Sequence, residues 1–253
     1  MSKLIELDDF DTFPKKVLQF LYNNKNDLYD ERQRELKDLH ERSYKSKSDY
    51  PYINNLEDIV SQTFTDKRLK AYHFTKAPQK GYYKKSGLKV LEKDAHLQYF
   101  LSVLSKEKVD KEIIREIKKL LSVKFESIWA DGRDQKIYFT LFKGEKYGDG
   151  LFYFLEHFGG EIISMLLEEN DQYEFIIKSI GIPTVVIFEY PYKKLNLCGS
   201  KRFAEHFRDT FLNKYVDRSI SIQFDEDYST ENISPDKILE ELTYPEYESK
   251  YLN

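Results

Sequence analysis

Residues 69–74, Leu-Lys-Ala-Tyr-His-Phe, alternate in the way that predicts a β-strand, and Thr75 follows them directly. Because residues i and i+2 of a strand point to the same face, His73 and Thr75 should present their side chains together. Twelve residues after Thr75 the chain reaches Gly87-Leu88, beyond a loop. An apolar-flanked His-x-Thr on a strand, followed by a turn and Gly-Leu, can hold a flat polar ligand.

A second compact motif lies at residues 158–161, Phe-Gly-Gly-Glu. Two glycines allow a backbone to approach a ligand closely. The carboxylate of Glu161 would then be presented in a cleft or at the start of a helix. The two motifs together indicate two halves of one pocket.

Composition excludes several classes of function. The chain has 253 residues, of which 40% are hydrophobic and 33% charged, yet its net charge is only −4. That balance gives no global electrostatic case for a nucleic-acid or anionic-membrane surface. The one cysteine, Cys198, excludes an intrachain disulfide and a cysteine metal site. The chain starts without an apolar core of signal-peptide length, and no run approaches about eighteen apolar residues, so we expect a cytoplasmic protein without a membrane span.

Strand-forming runs alternate with helical patterns along most of the chain. The runs are residues 69–74, 136–142, 184–190 and 219–224. This order predicts an α+β fold with a split, mostly antiparallel sheet. Residues 1–68 are predicted to form a helical, charged N-terminal extension and residues 69–253 the main domain. Within the extension, residues 30–47 are almost wholly charged, which favours a solvated helix or an exposed linker.

Each candidate residue has a structural alternative. His73 could be a strand histidine satisfied by a neighbouring backbone group. Glu161 could cap a helix N-terminus, where a carboxylate complements the helix dipole. Arg133 follows Gly132 before a strand and could be a surface turn residue or a fork-shaped phosphate donor. Tyr138 and Phe139 occupy opposite faces of one strand, so one could stack on a planar ring while the other packs inward.

The order of these motifs resembles the ADP-ribosyltransferase superfamily, in its diphtheria-toxin-like His-Tyr-Glu branch. Residues 72–75 (YHFT) and 86–91 (SGLKVL) resemble the opening of that fold, residues 137–140 (IYFT) its second element and residues 158–161 (FGGE) its third. The same succession is similar to a set of uncharacterised bacterial proteins. The resemblance covers roughly residues 69–239 and implies a split sheet of ADP-ribosyltransferase type.

The resemblance implies that NAD is the substrate and that no metal is needed. Glu161 and His73 would then be catalytic, with Glu161 orienting the ribose 2′-hydroxyl and stabilising the cationic centre. Contacts to NAD would come from His73, Thr75, Gly87, Arg133 and Tyr138. His73 would bind a ribose hydroxyl, Tyr138 would stack on nicotinamide and Arg133 would pair with the diphosphate.

The acceptor of the ADP-ribose is left open between protein and nucleic acid. A toxin or phage-defence effector held in check by an antitoxin or other regulatory partner is the expected biological role, with residues 30–47 as the docking surface. Two alternatives remain. One is a non-catalytic nucleotide-binding domain, which would not need Glu161, and the other is a protein-interaction module such as the antitoxin or immunity partner of a toxin.

Overall fold

The structure is a computed structural model that describes residues 4–41, 49–90, 92–124, 135–143, 154–160, 163, 167, 170–196, 200–222 and 226–252. The chain divides into two compact units. Unit 1 comprises Met1–Lys70, Thr140–Phe142 and Glu189–Asp227, and unit 2 comprises Ala71–Phe139, Lys143–Phe188 and Tyr228–Asn253. The division into residues 1–68 and 69–253 is a different partition and stays a prediction.

Helices and short strands make a mixed α+β protein, as predicted. The helices are α1 (Lys15–Asn23), α2 (Lys25–His40), α3 (Pro51–Phe64), α4 (Tyr82–Ser86), α5 (Lys93–Lys106), α6 (Lys111–Lys124), α7 (Asp171–Ser179), α8 (Ser200–Tyr215) and α9 (Tyr244–Tyr247). The strands are β1 (Arg68–Ala77), β2 (Ile137–Phe139), β3 (Ile182–Pro191), β4 (Asp227–Ser229) and β5 (Ile238–Thr243). Within the described ranges, no helix combines the length and apolar content that a membrane crossing requires.

Unit 1 is built from α1, α2, α3 and α8 around an aromatic core. Phe207 of α8 meets the Phe13 ring edge-on at a centroid distance of 4.5 Å and the Phe203 ring at 4.8 Å. The ring centroid of Phe64, at the end of α3, lies 5.2 Å from that of Phe207. Edge-to-face pairs of this kind add to the hydrophobic gain from burial. Aromatic residues of the N-terminal region and of α8 therefore form the core of unit 1.

Helix α2 of unit 1 confirms the predicted solvated helix over most of the described residues 30–41, but two charged residues within it, Glu31 and Arg32, are buried. Glu31 is fully buried and accepts hydrogen bonds from the backbone N–H groups of Tyr52 (3.0 Å) and Ile53 (2.7 Å), which satisfies the start of α3. Leu36 and Leu39 on the same helix are exposed, by 41% and 70%. The sequence pattern missed this packing because charged rather than apolar side chains make it. Residues 42–48 lie outside the described part of the chain.

Unit 2 contains a three-stranded sheet in the order β1-β3-β5, in which β3 and β5 are antiparallel with Thr184 opposite Thr243. A second sheet pairs β2 with β4. One face of the larger sheet packs Tyr72, Phe74 and Val185 against Tyr247, which is fully buried. The sheet alternation predicted at residues 69–74 therefore places Tyr72 and Phe74 in a core.

The strand predicted at residues 219–224 is wrong over its described residues, 219–222. Local hydrogen bonds hold this stretch of unit 1 in a turn, because the Ser219 N–H donates to the Asp217 carboxylate at 2.9 Å and the Asn213 side chain donates to the Ile220 carbonyl at 2.8 Å. Such side-chain bonds compete with sheet formation. The sequence did not predict β4 or β5. Strand β5 is a polar edge strand in which only Ile238 is buried.

Candidate functional site

A cavity of about 260 Å³ opens within unit 2, close to the lower end of the range for small-molecule pockets. It is bounded by β1, α4, the start of α5, β2 and the turn at residues 158–160. Its walls are made by His73, Phe74, Thr75, Lys76, Tyr82, Tyr83, Gly87, Leu88, Lys89, Lys93, His96, Tyr99, Lys136, Ile137, Tyr138, Phe154, Phe158, Gly159 and Gly160. Four predicted site residues, His73, Thr75, Gly87 and Tyr138, thus line one cavity.

Two predicted residues, Glu161 and Arg133, lie outside the described part of the chain. The two glycines that precede Glu161 do line the cavity, and both adopt positive φ angles, +97° at Gly159 and +72° at Gly160. A positive φ is readily available only to glycine, so the backbone conformation at this part of the wall favours glycine at both positions. The roles of Glu161 and Arg133 stay predictions.

The ring of His73 is fixed by a backbone contact from β2. Its Nδ1 lies 2.7 Å from the carbonyl oxygen of Tyr138. A carbonyl can only accept, so Nδ1 carries the hydrogen and the neutral ring keeps Nε2 as an acceptor. Burial lowers the pKa of His73 and so favours this neutral form. The hydrogen bond to the Tyr138 carbonyl partly opposes the shift. An acceptor nitrogen at the cavity wall suits a ligand hydroxyl.

Aromatic side chains form much of the wall beyond the predicted residues. Tyr83 meets the His73 ring edge-on at 6.5 Å and the Tyr82 ring at 5.1 Å. Burial raises the pKa of Tyr83 to about 12, and the Thr75 hydroxyl partly opposes the rise. Tyr83 is therefore a neutral hydroxyl at working pH. The loop predicted between Thr75 and Gly87 concealed this wall, because its tyrosines begin α4.

Strand β2 separates its two aromatic residues as the alternation predicted. Tyr138 lines the cavity, and its ring lies 5.7 Å from Tyr228. Phe139 is buried and meets Phe188 edge-on at 5.4 Å. Tyr138 is thus placed where a planar ligand could stack on it.

The ionisable residues of the described wall are cationic or neutral. They are His73, Lys76, Tyr82, Tyr83, Lys89, Lys93, His96, Tyr99, Lys136 and Tyr138, and no carboxylate is among the described lining residues. Four lysines around an aromatic cavity favour a ligand that combines a planar ring with negative charge. Among the described residues, no three His, Cys, Asp or Glu side chains come together as a metal site would require.

The backbone around Gly87 leaves no room for a side chain, which the sequence alone did not reveal. Its φ is +71°, and a Cβ at this position would lie 2.2 Å from the carbonyl oxygen of Ile233. The neighbouring Leu88 exchanges two backbone hydrogen bonds with Ile233, each of 2.9 Å. Glycine is therefore required for close backbone approach, whether or not it also contacts a ligand.

We expect Gly87→Ala to lower the free energy of unfolding by about 2–3 kcal/mol, because alanine is strained at positive φ and overlaps a backbone oxygen that cannot move alone. Urea unfolding of the two proteins measures the loss. Gly81 also has a positive φ, +77°, but its Cβ would meet nothing within 4 Å, so Gly81→Ala isolates the conformational part of the cost. Equal losses in the two variants would contradict the overlap with Ile233.

No protein-family model matches the chain, and comparisons with curated proteins and with solved structures also give no match.

Proposed function

We propose that unit 2 binds NAD in this cavity and that the protein is an ADP-ribosyltransferase of the His-Tyr-Glu type, acting on a macromolecular acceptor. The observation that carries the proposal is the convergence of His73, Thr75 and Tyr138 with Gly159 and Gly160 on one cavity. These residues come from three separate stretches of the chain. Their order also matches the motifs of the family that the sequence resembles.

The contacts of His73 support recognition of the ribose next to nicotinamide. Because Nδ1 is occupied by the Tyr138 carbonyl, Nε2 accepts a hydrogen bond from a ribose hydroxyl. The same contact ties β1 to the backbone of the residue proposed to stack on nicotinamide. The ribose site and the ring site are therefore positioned by one hydrogen bond.

The cavity wall offers contacts for both the nicotinamide ring and the diphosphate of NAD. Tyr138 is proposed to stack on the nicotinamide ring, and Tyr82 and Tyr83 add further aromatic surface to the cavity wall. The diphosphate is proposed to pair with Arg133, and Lys89, Lys93 and Lys136 of the wall add positive charge of the same kind. A cavity of about 260 Å³ suits the nicotinamide–ribose end rather than the whole dinucleotide.

The proposed chemistry is cleavage of the bond between nicotinamide and ribose. As the bond breaks, positive charge develops on the ribose, and nicotinamide leaves with the bonding electron pair. The Glu161 carboxylate is proposed to stabilise that charge and to orient the 2′-hydroxyl, while the acceptor supplies the new bond to C1′ and loses a proton. No metal takes part in this proposal.

A non-catalytic nucleotide-binding domain is the second candidate, and one observation favours it. The tyrosines and lysines of the described lining are side chains that a nucleotide-binding wall would use. This candidate keeps the contacts of His73 and Tyr138 but assigns no reaction to Glu161. It is distinguished from the transferase by NAD turnover.

A regulatory partner is proposed on biological and structural grounds. A transferase that modifies an essential macromolecule in its own cell would need restraint, as expected of a toxin or phage-defence effector. Within the predicted docking segment, residues 30–47, Leu36 and Leu39 of α2 are exposed and could contact such an antitoxin. A protein-interaction module without catalysis would use the same surface.

Expression from a tightly controlled promoter, followed by mass spectrometry of cell protein and nucleic acid, tests the transferase. Wild type is expected to leave ADP-ribose adducts on one class of macromolecule and to arrest growth, whereas Glu161→Gln leaves neither. Unchanged growth with no adducts and no loss of NAD, in wild type, would contradict the transferase and favour the binding module.

A further inference from the structure

Lys76 is a buried lysine on β1 whose ammonium ends between two backbone carbonyl groups. The residue is 5% exposed, and Nζ donates to the carbonyl oxygens of Lys178 at 2.6 Å and Glu156 at 3.2 Å. Lys178 lies in the last turn of α7, and Glu156 ends the helical residues 154–156. Carbonyls at helix ends have no partner within the helix, and a cation is favoured there.

The Glu156 and Lys178 carbonyls lie close in sequence to other contacts of the turn at residues 158–160, which forms one wall of the cavity. One such contact is made by Phe158, whose N–H donates to the Ile177 carbonyl at 3.0 Å. The Phe158 ring packs where Gly181 has no side chain, since a Cβ there would lie 2.7 Å from the ring. Phe158, Gly159 and Gly160 then line the cavity. Among these ties, Lys76 is the one made by a charged side chain.

We propose that Lys76 is a positioning residue, whose ammonium holds the wall at residues 158–160 in place and thereby sets the affinity of the cavity for its ligand. The ligand assignment rests on the proposed function, whereas the positioning of the wall does not. A charged donor shared by two carbonyls makes stronger hydrogen bonds than a neutral amine would. The wall is therefore tied most tightly when Lys76 is protonated.

Several other charged groups lie around this ammonium. The Lys178 ammonium pairs with Glu174 at 2.8 Å and with Glu156 at 3.8 Å, and His157 Nε2 lies 3.8 Å from Glu174. Ion pairing raises the pKa of Lys178 and lowers that of Glu174, so neither titrates near pH 8. The remaining neighbour is Tyr83, which donates to the Lys76 carbonyl at 3.4 Å and has a pKa of about 12.

Burial lowers the pKa of Lys76 to about 8, and the Glu156 carboxylate partly opposes this. As pH rises through this value the tie weakens, so affinity for the ligand should fall. The free energy of unfolding is expected to change in the opposite direction. The pKa of Lys76 in the folded protein lies below its unfolded value of about 10.4, so between these two pH values the unfolded state binds more protons. Lys76 therefore makes the free energy of unfolding rise with pH across that window.

NAD titrations of wild type, Lys76→Met, Lys76→Arg and the control Lys178→Met, at pH 7 and pH 9.5, test the proposal. We expect wild-type affinity to fall about tenfold between the two pH values, and Lys76→Met to show the weak affinity at both. Lys76→Arg, which stays charged, should lose the pH dependence while binding at pH 9.5 more tightly than wild type. Lys178→Met, which removes an exposed ammonium, should keep the wild-type profile.

Amide hydrogen exchange of the free proteins at pH 7 separates this proposal from the assignment of NAD. Exchange at residues 158–160 should be about tenfold faster in Lys76→Met than in wild type or Lys178→Met. If no protein binds NAD but exchange accelerates as stated, the proposed function fails and the positioning role stands. Unchanged exchange in a folded Lys76→Met protein, a wild-type pH dependence of affinity in Lys76→Arg, or wild-type affinity that is flat with pH in a protein that binds NAD, would overturn the positioning role.

Discussion

Replacing Glu161 with glutamine is expected to lower the rate of NAD cleavage by about a thousandfold, while the dissociation constant for NAD stays within a few-fold. The carboxylate is proposed to act on charge that develops only as the glycosidic bond breaks. Glutamine keeps the size of the side chain and loses the negative charge. An interaction made only in the transition state affects turnover and leaves ground-state binding nearly unchanged.

Nicotinamide release from NAD measures the turnover, and a separate titration measures the affinity. Glu112→Gln is a matched control, because Glu112 is an exposed carboxylate on α6 that pairs with Arg115 at 2.5 Å, and its loss should leave both quantities unchanged. Turnover in Glu161→Gln equal to that of wild type would remove Glu161 from the mechanism. Loss of NAD affinity in parallel with turnover would instead assign Glu161 to binding.

Replacing Arg208 with methionine is expected to lower the free energy of unfolding by about 3–5 kcal/mol. Arg208 is almost fully buried in unit 1, where it donates to Asp209 and Glu35, each at 2.8 Å. Arg32 closes the ring, with Asp209 at 3.0 Å and Glu35 at 3.3 Å. Burial acts to lower the pKa of Arg208, but the two carboxylates together raise it above its usual value. Removing the guanidinium leaves two buried carboxylates with one cation between them.

Urea unfolding measures the loss, and Arg115→Met serves as the matched control. Arg115 pairs with Glu112, but both side chains are more than two-thirds exposed, so this pair should contribute less than about 1 kcal/mol. If Arg208→Met costs no more than Arg115→Met, the buried ring does not stabilise unit 1. Adding Glu35→Gln to Arg208→Met should recover part of the loss, since it removes one of the two carboxylates that would then share Arg32.

The strand alternation predicted part of the cavity wall on β1 and β2. His73 and Thr75 line it together, and Tyr138 lines it while Phe139 packs inward. Phe74, Lys76 and Ile137, which alternate with these residues, also line the cavity, and the strand period of two did not predict this. The alternation also gave a wrong strand at residues 219–222. Hydrogen bonds that involve the side chains of Asn213 and Asp217 hold this stretch in a turn, although its apolar residues alternate as in a strand.

The rest of the cavity depends on contacts between stretches distant in sequence, which the sequence pattern does not encode. Lys76 lay just beyond the strand predicted at residues 69–74, and its two carbonyl partners lie 80 and 102 residues further along the chain. The wall tyrosines Tyr82 and Tyr83 belonged to a predicted loop. The buried charges of α2 gave a pattern typical of a solvated helix, because periodicity counts apolar residues and cannot detect a satisfied ion pair.

Equilibrium titration with NAD and with nicotinamide mononucleotide tests most directly the central claim that the cavity between His73 and Tyr138 binds the nicotinamide–ribose end of NAD. We expect saturable binding of both ligands by wild type, weakened about tenfold or more in Tyr138→Ala through the lost stacking. Phe175→Ala, which removes an aromatic side chain that is 72% exposed on α7, should bind as wild type does. An absence of saturable binding in wild type, or equal affinity in wild type and Tyr138→Ala, would contradict the claim.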